Sequence, residues 1–143
     1  MDASGRKTWV RAVTLVGVVY FVVGFVFSAL DPSVSDQVRF SWRLAAWVAS
    51  AAVYAAHIGS EHFRLGNSPR ATALHAAMAV ALGAFLLAVA ATVHAMMVPS
   101  HAPYWRFLVA LVVWPIVTAL PAFLVALAVA ALLARLPTKR LAR

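Results

Sequence analysis

Four long apolar runs fill this chain, separated by short breaks marked by proline, glycine or acidic residues. The runs cover about residues 9–30, 37–65, 69–98 and 104–136. Each exceeds the roughly 20 residues that an α-helix needs to cross hydrocarbon. The pattern therefore predicts an all-α integral membrane protein: four transmembrane helices in an up-down bundle, forming a single domain over residues 1–143. Arg6 and Lys7 before the first run resemble the start of a signal peptide. The run from Val10 to Leu30 is of spanning length, however, and ends without an Ala-x-Ala cleavage site, so it reads as an uncleaved helix.

Punctuation between the runs sharpens the reading. Asp31-Pro32 ends the first helix, because proline disfavours α geometry in the residue before it, and Ser35 or Asp36 suits the N-cap of the second. Leu65-Gly66-Asn67-Ser68-Pro69 reads as a helix end, a C′ glycine, a turn, an N-cap serine and a proline at the first helical position. A tight αα-hairpin follows, in which residues equally far from the turn share a level. His57 and His75 are each nine residues from Gly66, roughly 13 Å along their helices, and Glu61 lies opposite Thr72. Pro99 stops the third helix. Pro115 and Pro121 should bend the fourth, and Pro137 ends it before a basic tail, residues 137–143. Gly17, Gly24 and Ser28 form a smooth strip on the first helix, and Ala73, Ala77, Ala81, Ala84 and Ala88 form a seam on the third; both suit close helix packing.

The second run differs from the others. Arg43, Trp47, Ser50, Tyr54, His57, Glu61 and Arg64 recur at alternating spacings of four and three, which keeps them on one helical stripe. Hydrocarbon does not solvate Glu, His or Arg, so the stripe is expected to face the bundle interior.

Composition changes this picture little. The chain is 64% hydrophobic with a mean hydropathy of +0.90, against roughly 45–50% apolar for ordinary soluble domains. Having no cysteine, it has no disulfide, thiolate metal site or cysteine nucleophile. The formal charge of +8 collects at the ends of the runs. Arg6, Lys7, Arg11, Arg64, Arg70, Arg135, Lys139, Arg140 and Arg143 fall on one side, and only Arg39, Arg43 and Arg106 on the other. The positive-inside rule then puts both termini and the hairpin in the cytoplasm of a bacterial inner (plasma) membrane. The expected partners are the lipid bilayer, its anionic headgroups and other membrane subunits or copies of the chain. Basic residues do not alternate with aromatic ones as on a nucleic-acid surface, so no nucleic-acid partner is expected.

Candidate chemistry centres on Tyr54, His57, Glu61, Thr72 and His75. Two imidazoles and a carboxylate suit a divalent metal; His57 and His75 on neighbouring helices suit the axial positions of a b-type haem; Glu61 and His57 suit proton or cation coupling. The plainer alternative is a polar seam in which Glu61 pairs with Arg64 or Arg70 and His57 bonds Tyr54, Thr72 or a carbonyl. His94 and His101 form a second, weaker metal or haem pair, and Met96 and Met97 beside them read as packing residues. No enzyme signature occurs, and Glu61 is the one acidic residue near other titratable groups. Three functions are expected in this order: an accessory or structural subunit of a homo-oligomer or larger membrane complex, motivated by the smooth faces of the first and third helices; a proton- or cation-coupled small transporter using Glu61 and His57; and a haem or metal redox subunit using His57 and His75.

Overall fold

The computed structural model describes residues 3–29, 35–97 and 103–136. The break at Asp31-Pro32, Pro99, His101 and the basic tail lie outside them. Four α-helices account for nearly all of the described chain: α1 (Ala3–Ala29), α2 (Asp36–Phe63), α3 (Pro69–Met97) and α4 (Trp105–Arg135). Three stretches are long and apolar enough to cross a membrane, namely Thr8–Ala29 in α1 and the whole of α3 and α4. The polar stripe keeps α2 less apolar than the others, and it is the most one-sided of the four.

α3 is the central element. It packs along α4 and α1, which do not touch each other among the described residues. Small side chains make this possible: Ala73, Ala76 and Ala79 of α3 and Ala126 and Ala130 of α4 are fully buried. Lipid tails are as apolar as leucine, so helices in a bilayer gain mainly from close van der Waals packing, which small residues allow. The predicted glycine strip of α1 is the face that meets α3. A Cβ on Gly17 would lie 2.8 Å from Leu82, and one on Gly24 2.6 Å from Leu87. Positions rising along α1 meet positions rising along α3, so these two helices run parallel. The closest approach is at Gly83, where a Cβ would stand 2.6 Å from Tyr20 Cβ and 3.0 Å from the Gly17 carbonyl oxygen.

The hairpin between α2 and α3 forms as its sequence prescribes. Gly66 takes a positive φ of 63°, which only glycine adopts without cost. The Asn67 amide reaches back to the Glu61 carbonyl at 3.2 Å, and Ser68 Oγ accepts from the Ala71 amide at 3.3 Å. α2 touches all three other helices, but more sparsely than they touch α3. Its first nine residues are exposed, whereas His57, Ile58 and Glu61 near the hairpin are buried. The Phe27 and Trp42 rings meet at 6.1 Å near its start. Met96 and Met97, expected to pack, are instead 63% and 77% exposed at the end of α3.

Candidate functional site

Glu61 is 0% exposed, and its partners come from α3 and the hairpin. Oε2 lies 2.9 Å from His75 Nδ1 and accepts a hydrogen bond from Asn67 Nδ2. The His75 ring stacks flat on Trp9 of α1, centroids 5.0 Å apart. Trp9, His75, Glu61 and Asn67 thus tie α1, α3, α2 and the turn together in one chain of contacts. Arg64 and Arg70, the partners expected in the plainer reading, are exposed, and the carboxylate bonds His75 and Asn67 instead.

The offset between prediction and structure has a simple cause. Counting from the turn sets His57 level with His75, yet Glu61 is the residue that meets His75. Each Cα–Cβ bond leans toward its own helix N-terminus. Glu61 therefore leans away from the turn while His75 leans toward it, and their tips meet between the two levels.

Besides the Trp9 indole N–H, three atoms of this region have no hydrogen-bond partner among the described residues: Glu61 Oε1, His57 Nε2 and Thr72 Oγ1. Their residues are 0%, 4% and 0% exposed. A buried polar atom without a partner costs about 1–3 kcal/mol, so three in one neighbourhood need an explanation.

Above this cluster along α2, a cavity of about 640 Å³ lies between all four helices. Its lining takes residues 20–24 in the C-terminal half of α1, and 46–54, 80–87 and 114–125 near the middle of α2, α3 and α4. The walls are largely Ala, Gly, Val and Leu. Polar character comes from Tyr20, Ser50, Tyr54 and Thr118, while Trp47 and Trp114, 77% and 53% exposed, stand at the rim. Ile58, Ala73, Ala76 and Ala126, with Tyr54 and Phe123 packed against them, form the apolar core on the hairpin side of the cavity. The Tyr54 hydroxyl crosses from α2 to donate to the Ala122 carbonyl of α4. Of the polar stripe, Trp47, Ser50 and Tyr54 line the cavity, His57 and Glu61 are buried beyond it, and Arg43 and Arg64 are exposed at its two ends.

The arrangement suits metal and haem poorly. No three His, Asp or Glu side chains gather in a metal-holding group among the described residues. A haem between His57 and His75 needs a slot between the rings, yet the cavity is lined by neither residue, and His75 is fixed against Glu61 and Trp9. His94 is exposed. Asn67, Trp9 and Tyr20 were not singled out from sequence as site residues. Asn67 carried a signal, being a side-chain donor placed just past the helix that holds Glu61; the other two are brought in by packing alone. No protein-family model matches the chain, and neither does any curated protein or solved structure.

Proposed function

We propose that the chain is a four-span protein of a bacterial inner membrane that binds a small apolar or amphipathic molecule in its midlength cavity and carries it across, with Glu61 and His57 as proton-coupling groups. The observation that carries this reading is the cavity itself. At about 640 Å³ it falls within the roughly 300–1,000 Å³ of small-molecule sites. It also lies at the depth where carriers hold their substrates, between helices and near the bilayer midplane.

The parallel course of α1 and α3 supports a crossing α2. A chain that leaves the bilayer at the end of α1 must return to the opposite face before α3 can run the same way, and α2 is the segment that connects them. At 28 residues it spans about 42 Å, ample for a core of about 30 Å. The distribution of basic residues supports cytoplasmic termini and a cytoplasmic hairpin. The accessory-subunit reading loses its motive, since Gly17, Gly24 and the alanine seam are used in packing α1, α3 and α4 within the chain.

Binding is tested in nanodiscs with N-phenyl-1-naphthylamine as a neutral probe and tetraphenylphosphonium as a cationic competitor. Energy transfer from tryptophan should report the bound probe, fall in Trp47→Phe/Trp114→Phe and vanish in Ala51→Phe, which fills the cavity from α2. Transfer unchanged by Ala51→Phe would refute the site. Proton flux into proteoliposomes on probe addition, equal for wild type and Glu61→Gln, would remove the coupling role.

A further inference from the structure

We infer that Glu61, Thr72 and His57 enclose one internal water and that this carboxylate–water cluster binds an exchangeable proton. The inference deepens the coupling role proposed for Glu61 and His57. It does not depend on what occupies the cavity.

Thr72 gives the clearest indication. A serine or threonine hydroxyl in a membrane helix ordinarily bonds a carbonyl one turn back, and five of the described helical hydroxyls of this chain do so. Ser28, Ser41, Ser60, Thr92 and Thr118 donate to Phe25, Gln37, His57, Ala88 and Trp114 carbonyls at 2.7–3.0 Å. The carbonyls one turn back from Thr72 are those of Pro69 and of Ser68, which accepts the Thr72 amide at 3.0 Å. The hydroxyl joins neither; it is fully buried and has no partner among the described residues. It is therefore turned toward the protein interior.

The register shows what it turns toward. Thr72 and His75 are three apart on one face of α3, and His57 and Glu61 four apart on one face of α2. Glu61 bonds His75 across the gap through Oε2, which brings the two faces together and leaves Oε1 buried without a partner. His57, one turn before Glu61 on the same face of α2, carries the third such atom, Nε2. A buried water requires two to four polar partners, and the cluster offers three. The hydroxyl can donate or accept, the carboxylate accepts, and imidazole does either according to its tautomer.

The surroundings make the carboxylate a proton site. From α2 the titratable neighbours are Tyr54, committed to Ala122, and His57; from α3 there is His75. α1 contributes Trp9 and α4 aliphatic Ala126, Leu127 and Leu133, while Arg64 and Arg70 are exposed. Among the described residues, no arginine or lysine pairs with the carboxylate. A proton delivered through the water converts Glu61 carboxylate to neutral carboxyl, and the water is regenerated. His75 and Asn67 keep Oε2 engaged, so the proton goes to Oε1.

Infrared difference spectroscopy on the full-length protein in liposomes, with pH as the only variable and no probe added, tests this directly. The other acidic side chains are Asp2, Asp31 and Asp36, of which Asp36 is exposed at the far end of α2, and Glu61→Gln assigns the buried-carboxyl band. The expected result is a pH-dependent protonated-carboxyl stretch that shifts in heavy water, disappears in Glu61→Gln, changes frequency in Thr72→Val and returns to the wild-type frequency in Thr72→Ser. Absence of a titrating band in wild type, its survival in Glu61→Gln, or one frequency shared by wild type and Thr72→Val would each overturn the inference. Lipophilic carbodiimide, which adds only to protonated carboxyls, gives a second readout on wild type that needs no variant to fold. A pH-dependent adduct at Glu61 supports the site, and a pH-independent or absent adduct overturns it. Because neither measurement uses the cavity, failure of probe binding and failure of proton binding are separable.

Discussion

Gly83 gives the sharpest mechanical test of the structure. A methyl group there would lie 2.6 Å from Tyr20 Cβ, roughly 0.8 Å inside the ordinary limit of 3.4 Å, and 3.0 Å from the Gly17 carbonyl oxygen. Neither neighbour is the flexible end of a side chain, so α1 and α3 must separate. Overpacking of this kind costs about 1–3 kcal/mol, against a gain of about 0.5–1 kcal/mol from replacing a mid-helix glycine with alanine. The net expectation for Gly83→Ala is a loss of about 1–2 kcal/mol. Gly17→Ala should cost less, because its conflict is with the Leu82 side chain at 2.8–3.0 Å. Gly24→Ala should be nearly neutral, because the Leu87 methyl at 2.6 Å can swing aside. Gly59→Ala meets nothing within 4 Å among the described residues and should stabilise. Reversible unfolding in mixed micelles of rising dodecyl sulfate content, followed by far-ultraviolet circular dichroism, gives all four on one scale. Gly83→Ala as stable as Gly59→Ala would refute the α1–α3 contact and, with it, the parallel course on which the crossing of α2 rests.

Three further outcomes follow by the same assay. Glu61→Ala should cost about 2–3 kcal/mol, since it removes the acceptor shared by the half-buried His75 and Asn67, while Glu61→Gln keeps an acceptor for Asn67 and should cost about 1 kcal/mol; equal losses would mean that His75 and Asn67 do not depend on the carboxylate. Trp9→Phe should stay within about 1 kcal/mol of wild type, because the indole N–H is buried without a partner among the described residues and its removal offsets lost stacking area. Trp9→Ala, which loses the stack, should cost about 3 kcal/mol or more. Tyr54→Phe should lose about 0.5–1.5 kcal/mol and make Trp47 and Trp114 more accessible to acrylamide; unchanged quenching would deny the hydroxyl a part in holding α2 against α4.

The features legible in the sequence are those fixed within a few residues. The hairpin at Leu65–Pro69 is one, because Gly66, Ser68 and Pro69 each satisfy a backbone requirement of their own position. The glycine strip of α1 was legible as a strip, but its partner was not: α3 is so rich in alanine that several of its faces look alike, and Gly83 is distinguished only by what meets it. The stripe on α2 announced an interior face, which the structure shows from Ser50 to Glu61, with Trp47 left exposed. The pairing within it was hidden, because residue counting sets Cα levels while side-chain lean sets contacts, moving the partner of His75 from His57 to Glu61. The cavity was illegible altogether. It arises where Gly24, Ala51, Gly83 and Ala122 from four different helices come to one level, and no single segment records that coincidence.

The unequal packing of the helices bears on how such a cavity would open. α1, α3 and α4 are joined through glycine and alanine contacts that resist small adjustments, since a shift of tenths of an ångström already meets backbone. α2 is fastened differently: by Glu61 to His75 and Asn67 near the hairpin, by Tyr54 to Ala122 at mid-length and by Trp42 to Phe27 near its start. Lipid supplies no hydrophobic force to press α2 inward, so these few polar and aromatic contacts, each worth about 1 kcal/mol, weigh heavily in its position. Coupling between sites in proteins is typically about 1–3 kcal/mol, which one or two such contacts can supply. A proton on Glu61 alters the fastening at the end where α2 is buried, while the exposed first half of the helix is fastened by the Trp42–Phe27 ring contact. On the proposed reading α2 is therefore the lever, the hairpin its pivot, and the protonation state of Glu61 the variable that sets how far the cavity stands open.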